Sequence, residues 1–533
     1  MIPAVQVNRR ERLGLILERD GAGSAGPGRG WPASSAGSAT ERGKKQGVEQ
    51  RGGTGAGGLT GYFGVEERGS TVRTEVRGGV ATFFTMAYIV VLNPIILAGA
   101  ADISGRRLDI GQVASSTALV AAVMTILMGV VGRYPLAVAA GLGLNGVVAF
   151  QLAGQMSWPA AMGVVVLEGL AITVLVLTGV RRSVFEAVPL ALKNAIAVGI
   201  GLFIAFIGFV DAGFVRRVPD AANSPVPVGL GIGGRLLGWP TLVFVVGLLV
   251  TIILVVRRVR AAILLSIVGT TLFAIVLNAI VDVSAQFVPG QPVNPRGWSL
   301  NVPNWPRDIV STPDFGLLGE FSLGGSFAAV GVVSALLLIF TLMLADFFDT
   351  MGTVVGVGAQ GDLLDDEGRL PNAGPVLLVD SLAAAAGGAA SASSATTYIE
   401  SAAGVGDGAR TGLASVVTGG LFLLALFLTP LVSVVPYEAA SPALVVVGFL
   451  LMTRIKDIPW DDYTLAIPAF LTIVLMPFTF SITNGIGAGF VSYAVLRLAG
   501  GRAREVHPLL WVVAVLFVAY FGIEWVEQLT GVK

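Results

Sequence analysis

The chain has 533 residues, 54% of them hydrophobic and only 13% charged, with 34 basic residues balanced by 34 acidic ones. Soluble domains are about a quarter charged, so this composition excludes an ordinary globular enzyme, and the zero net charge gives no footing for nucleic-acid binding. Cysteine is absent and His507 is the sole histidine, which removes disulfides, thiolate metal sites, histidine relays and Ser–His hydrolysis; neither a metal nor a cofactor is expected.

Residues 1–60 are rich in Gly, Ser and Arg (GAGSAGPGRGWPASSAGSATERGKKQG) and read as a disordered cytoplasmic tail. No apolar run follows the early arginines, so the tail does not read as a secretory signal. Apolar blocks of roughly twenty residues, the length of a membrane-crossing helix, then follow. They fall at 80–100, 113–132, 135–154, 159–179, 188–210, 239–256 and 260–282. After the polar connection 283–326 they resume at 327–350, 373–390, 391–408, 411–433, 438–453, 464–481 and 484–499. The expectation is an all-α polytopic membrane protein of about fourteen spans. Within the C-terminal segment 501–533, the apolar run 508–527 is either a fifteenth span or a helix along the interface.

Arg133, Arg181–Arg182, Arg257–Arg258–Arg260, Arg454–Lys456 and Arg497–Arg502–Arg504 fall in alternate connections. By the positive-inside rule those connections and the N-terminus are cytoplasmic, in an inner membrane. Residues 61–282 and 327–500 each hold seven spans. Seven is odd, so the second set runs inverted relative to the first, the usual architecture of secondary transporters.

Such transporters bind substrate where interrupted helices meet near the midplane. The third span of each half fits: AAGLGLNGVVAF (139–150) and AASASSATTYIESAAG (389–404) are poor in leucine, and each carries a central polar residue, Asn145 and Glu400. Glycines let a helix break, and the freed backbone is tolerated only where it lines a cavity or ligand. A tight helix contact would explain the small residues, but a carboxylate there costs roughly 2.5–3.5 kcal/mol and argues for function. In the eighth span Asp346 and Asp349 are three apart and share a helix face. They mark either the end of that helix or, given the apolar MGTVVGVGA that follows, a buried site. Glu168 and Asp380 serve equally well as helix braces, Lys193 as a snorkelling cation, and the loop 360–372 as a solvated acidic turn without EF-hand spacing.

These residues, with TVRTEVRGGVATFFTMAYIVVLNP, LKNAIAVGIGLFIAFIG, ADFFDTMGT, TTYIESAAGVGDGARTGLASVVTG and IPAFLTIVLMPFTFSITNGIGAGF, resemble the nucleobase–cation symporter family, in its adenine/guanine/hypoxanthine purine-permease branch. The resemblance implies a core domain (spans 1–4 and 8–11), a gate domain (5–7 and 12–14) and short extended stretches in spans 3 and 10. It implies that Glu400, Asp346 and Asn145 hold the purine, with Thr397, Tyr398 and Ile399 beside them. Phe84, Phe150 and Tyr398 are the candidates for stacking. With no histidine in the core, Asp346, Asp349 or Glu400 would carry a coupling proton. The partners expected are therefore a purine nucleobase, a cation (H⁺), the lipid bilayer and, compatibly, a second copy in a homodimer. An anion transporter of the same fold, a channel and an intramembrane aspartyl protease (suggested by Gly361-Asp362) are the competing readings.

Overall fold

The computed structural model describes residues 58–179, 187–217, 228–288, 292–365 and 369–522. Residues 1–57 of the expected tail and 523–527 of the last apolar run lie outside the described residues. Most of the long helices are apolar around their whole circumference, as lipid-facing helices are, with no polar stripe. Among the described residues nine are long and apolar enough to cross a membrane: 72–99 (span 1), 110–132 (span 2), 158–178 (span 4), 190–211 (span 5), 239–256 (span 6), 262–281 (span 7), 332–360 (span 8), 412–434 (span 11) and 437–457 (span 12). Five more elements complete the fourteen. Ala373–Ala389 (span 9), Tyr463–Phe478 (span 13) and Ile482–Ala499 (span 14) are short or glycine-rich helices.

Spans 3 and 10 are the interrupted ones. Span 3 is a strand, Val138–Ala140 (β1), then a helix over Leu144–Gly146 that widens to π form over Val147–Leu152. Two further strands, Val215–Arg217 (β2) and Val228–Leu230 (β3), form an antiparallel ribbon beyond span 5. Span 10 is the strand Ala395–Thr397 (β4) followed by the helix Ser401–Gly406. β1 and β4 pair antiparallel, Val138 with Thr397, Ala139 with Thr396 and Ala140 with Ala395. The two broken helices thus satisfy each other's backbone inside the protein, which a single unwound segment in lipid could not do.

The packing around that pairing repeats between the two halves. Span 4 packs on span 9 as span 11 packs on span 2, and span 4 meets span 8 as span 11 meets span 1. Glycine makes the contacts close: a Cβ at Gly169 or Gly388 would strike the backbone of the partner helix in the span 4–span 9 pair. Spans 5, 6, 7, 12, 13 and 14 pack chiefly among themselves and form the gate. The connection after span 7 folds over one end of the bundle, bonding from Ser322 to Pro159, from Gly319 to Ala389 and from Ser299 to Glu438. Span 8 runs on to Gln360, so Asp346 and Asp349 lie in mid-helix and not at its end. The last helix, Pro508–Phe521, is 14 residues long and packs on spans 14 and 8.

Candidate functional site

At the approach to β4 the backbone leaves helical geometry. Ser391 and Ser393 have φ of 55° and 70°, a region non-glycine residues rarely occupy, and such strain concentrates at functional sites. Asp380 of span 9 holds the strand in place: its Oδ1 accepts from the Thr397 amide (2.8 Å) and hydroxyl (2.7 Å), and its Oδ2 from the Thr350 hydroxyl (2.6 Å). Thr350 and Thr396 share a further hydroxyl contact of 2.7 Å. The Tyr398 hydroxyl donates to the Ala140 carbonyl of β1, and its amide to Ala137 (2.9 Å). Thr397 and Tyr398 are therefore both tied into the scaffold.

Glu400 follows this braced segment and is half-buried. Its Oε1 accepts from the Tyr88 hydroxyl at 2.5 Å. Tyr88 sits where span 1 shifts between its two helical segments, and Phe84, four residues earlier, shares its face. Asp349, also half-buried, lies within electrostatic reach of Glu400 and of Arg454, while Tyr88 and Tyr398 in turn feel both carboxyls. Arg454, at the end of span 12, packs where a Cβ on Gly352 would otherwise stand, so a gate cation reaches the core beside Asp349. Ile399 leans on Gly356 of span 8, and Ile399 and Phe84 are 51% and 52% exposed. These groups gather two acids, a phenol and the Ile399 side chain around the start of the span 10 helix.

Asn145 is buried, and its Nδ2 donates to Asn93 Oδ1 (3.1 Å). Asn93 is fixed in turn by donating to Thr117 Oγ1 (2.8 Å) and to the Ala392 carbonyl (3.0 Å). One edge of the Asn145 amide is thus occupied by span 1. Asp346 is fully buried on the side of span 8 that meets Glu168 and Asp380, away from Glu400. Phe150 packs edge-on against Phe480 of the gate, 6.1 Å between centroids.

The structure brings Glu400, Asp349, Tyr398 and Ile399 to one region, links Phe84 to it only by its helical spacing from Tyr88, and sets Asp346 with Glu168 and Asp380. Tyr88 and Asn93 were not singled out by sequence reasoning. Their only signal is a polar residue inside an apolar span, and Asn93 just before Pro94 is the clearer of the two. Two clefts lie elsewhere, one of about 560 Å³ around Gly238 and Arg296 and one of about 410 Å³ around Met351 and Arg369.

A description of the xanthine/uracil permease family matches residues 73–487. The guanine/hypoxanthine permease PbuG of Bacillus subtilis is 39% identical over 465 residues, covering 86% of this chain and 98% of the relative. The adenine permease AdeP of Escherichia coli K12 is 37% identical, covering 87% and 96%. Among solved structures, the transmembrane domain of the cyanobacterial bicarbonate transporter BicA superposes with a TM-score of 0.53 at 14% identity, covering 78% of this chain and 97% of that one. The murine anion transporter Slc26a9 in its inward-facing state gives 0.53 at 10% identity, covering 85% and 74%. These two share the seven-plus-seven fold. The chain belongs to the xanthine/uracil permease family and is a multi-pass membrane transport protein, not an enzyme.

Proposed function

We propose that the protein is a secondary active transporter that imports purine nucleobases (adenine, guanine, hypoxanthine) by proton symport, moving its core domain against its gate. The observation that carries this reading is the Glu400 carboxylate, braced by Tyr88 and within electrostatic reach of Asp349. A neutral purine is a flat plate with N–H donors along its edge. Carboxylates accept from those donors, apolar side chains cover the ring faces, and the backbone of Thr397–Ile399 supplies further polar groups. An analogue lacking one N–H leaves a buried acceptor unpaired, which is how such a site discriminates. Asn145 completes the site through its carbonyl oxygen, since its amide nitrogen is committed to Asn93.

The similarity to purine permeases over nearly their whole length supports the substrate class. The alternation of basic loops supports an inner-membrane location with a cytoplasmic N-terminus. An anion transporter is the second reading, since solved relatives in fold carry anions. The two carboxyls Glu400 and Asp349 repel that class of substrate, and likeness at this identity extends to the fold alone. Radiolabelled adenine, guanine and hypoxanthine uptake in a host lacking purine permeases tests the reading. Uptake is expected, with loss in Glu400→Gln and Asp349→Asn. Bicarbonate transport without purine uptake would overturn it.

A further inference from the structure

Spans 4, 8 and 9 enclose three carboxyls, Glu168, Asp346 and Asp380, which are 0%, 0% and 4% exposed. Asp380 is supplied with three donors from Thr350 and Thr397, the pattern of an ionised carboxylate. Glu168 and Asp346 differ from it. Ser394 donates to Glu168 Oε2 at 3.2 Å, but Glu168 Oε1 and both oxygens of Asp346 make no hydrogen bond of ordinary geometry, the Thr396 hydroxyl standing near Asp346 without one. The two side chains nonetheless stand within hydrogen-bonding reach of each other. Two ionised carboxylates are acceptors only and cannot bond, whereas a carboxyl and a carboxylate can.

Among the described residues, the groups that act on the pair are acids and hydroxyls. Span 9 contributes Asp380, a further negative group, and the unwound part of span 10 contributes hydroxyls from Ser394 and Thr396. Span 8 carries Asp349 one turn on, where it faces Arg454 of span 12 and Glu400. Lys193 of span 5 sits over the Phe348 ring at 5.5 Å. A metal ion fits poorly, because it needs several free oxygens and those of Asp380 already accept from three donors. Among the described residues no group of three or more acidic, histidine or cysteine side chains is arranged to hold one.

We propose that Glu168 and Asp346 form a proton site, and that the proton held between their oxygens is the coupling ion. It is separate from the substrate carboxyls Glu400 and Asp349, and it deepens the symport reading on which it rests. The proton bridges the two oxygens while the pocket is dry and leaves to water when motion of core against gate wets the pocket. Ser394, bonded to Glu168, and Glu400 lie on the same short segment. Proton occupancy and substrate therefore bias one structural element, which is what coupling requires.

The test uses the full chain in proteoliposomes with labelled hypoxanthine, guanine and adenine. In wild type an acid-outside gradient is expected to drive accumulation. Glu168→Gln keeps the shape and offers Asp346 a fixed amide donor. It is expected to lose gradient-driven accumulation by about tenfold or more while keeping labelled-for-unlabelled purine exchange within about threefold. Glu168→Asp restores a carboxyl pair and should accumulate purine with a displaced pH midpoint. An infrared carboxyl C=O band that shifts in deuterium oxide is expected in wild type and absent in Glu168→Gln. Wild-type pH dependence in Glu168→Gln, or the infrared band persisting in it, overturns the site. A wild type driven by sodium and indifferent to pH overturns proton coupling itself, and one that exchanges no purine overturns the substrate reading.

Discussion

The Tyr88 hydroxyl donates to Glu400 Oε1 at 2.5 Å, binding span 1 to the start of the span 10 helix. The contact fixes one of the two carboxylate oxygens. A hydrogen bond to a charged acceptor contributes about 1.5–3 kcal/mol. Tyr88→Phe keeps the ring and removes the donor, so KM for purine uptake should rise about tenfold or more with little loss of protein. Unchanged kinetics would mean that Glu400 finds its orientation without the phenol.

The amide relay Asn145–Asn93–Thr117 crosses spans 3, 1 and 2. Asn93→Ala leaves the Asn145 amide and the Ala392 carbonyl without their partner, in a site too buried for water to replace it. The expected cost is about 1–3 kcal/mol of stability together with weaker purine binding. In a double-mutant cycle with Asn145→Ala the two changes should be non-additive by about 1 kcal/mol. Additive effects would show that Asn145 is held by something else.

The number of spans, their inverted halves and the breaks in spans 3 and 10 were legible in the sequence because apolar length and loss of leucine are local signals. Which span 8 acid stands near Glu400 was not legible. Asp346 and Asp349 share a broad helix face, and only the packing of spans 4 and 9 on one side and of Arg454 on the other separates them. The first span was placed at 80–100, yet its helix begins at Val72, because Glu75, Arg73 and Arg77 depress the apolar count. Glu75 is buried and accepts from the Arg410 and Thr411 amides, a partnership 335 and 336 residues away in sequence that no local pattern announces.

Gln151 ties the core to the gate. Its Nε2 donates to Thr483 Oγ1 (2.5 Å) and its Oε1 accepts from the Ile482 amide (3.0 Å) at the start of span 14. Any relative motion of the two domains at this end breaks both bonds. Gln151→Leu should therefore shift the conformational balance by about five- to thirtyfold towards the state open on that side. The chain has no cysteine, so a single Gln155→Cys reports on access there. Labelling by an impermeant maleimide should speed up in the Gln151→Leu background, and an unchanged rate would exclude the latch.

Asp102 sets the pH response of the loop between spans 1 and 2. Burial alone would raise its carboxyl. Donors from the Ser104 hydroxyl (2.6 Å), the Trp158 amide (3.1 Å), and the Arg106 and Ser104 amides (2.9 Å each) outweigh that and hold it below the usual carboxylate range. Trp158 opens span 4, whose Ser157 makes no side-chain cap, so Asp102 takes the place of one. A carboxyl depressed in the folded state stabilises the protein above its unfolded pKa of about 3.9, and that contribution is lost as pH falls through the folded value. Asp102→Ala should cost about 1–3 kcal/mol at neutral pH, read as a lower Tm in detergent. The gap from wild type should narrow as the pH falls below about 4. A gap that stays constant down to strongly acid pH would assign the stabilisation to the packing of the loop and not to the ionised carboxylate.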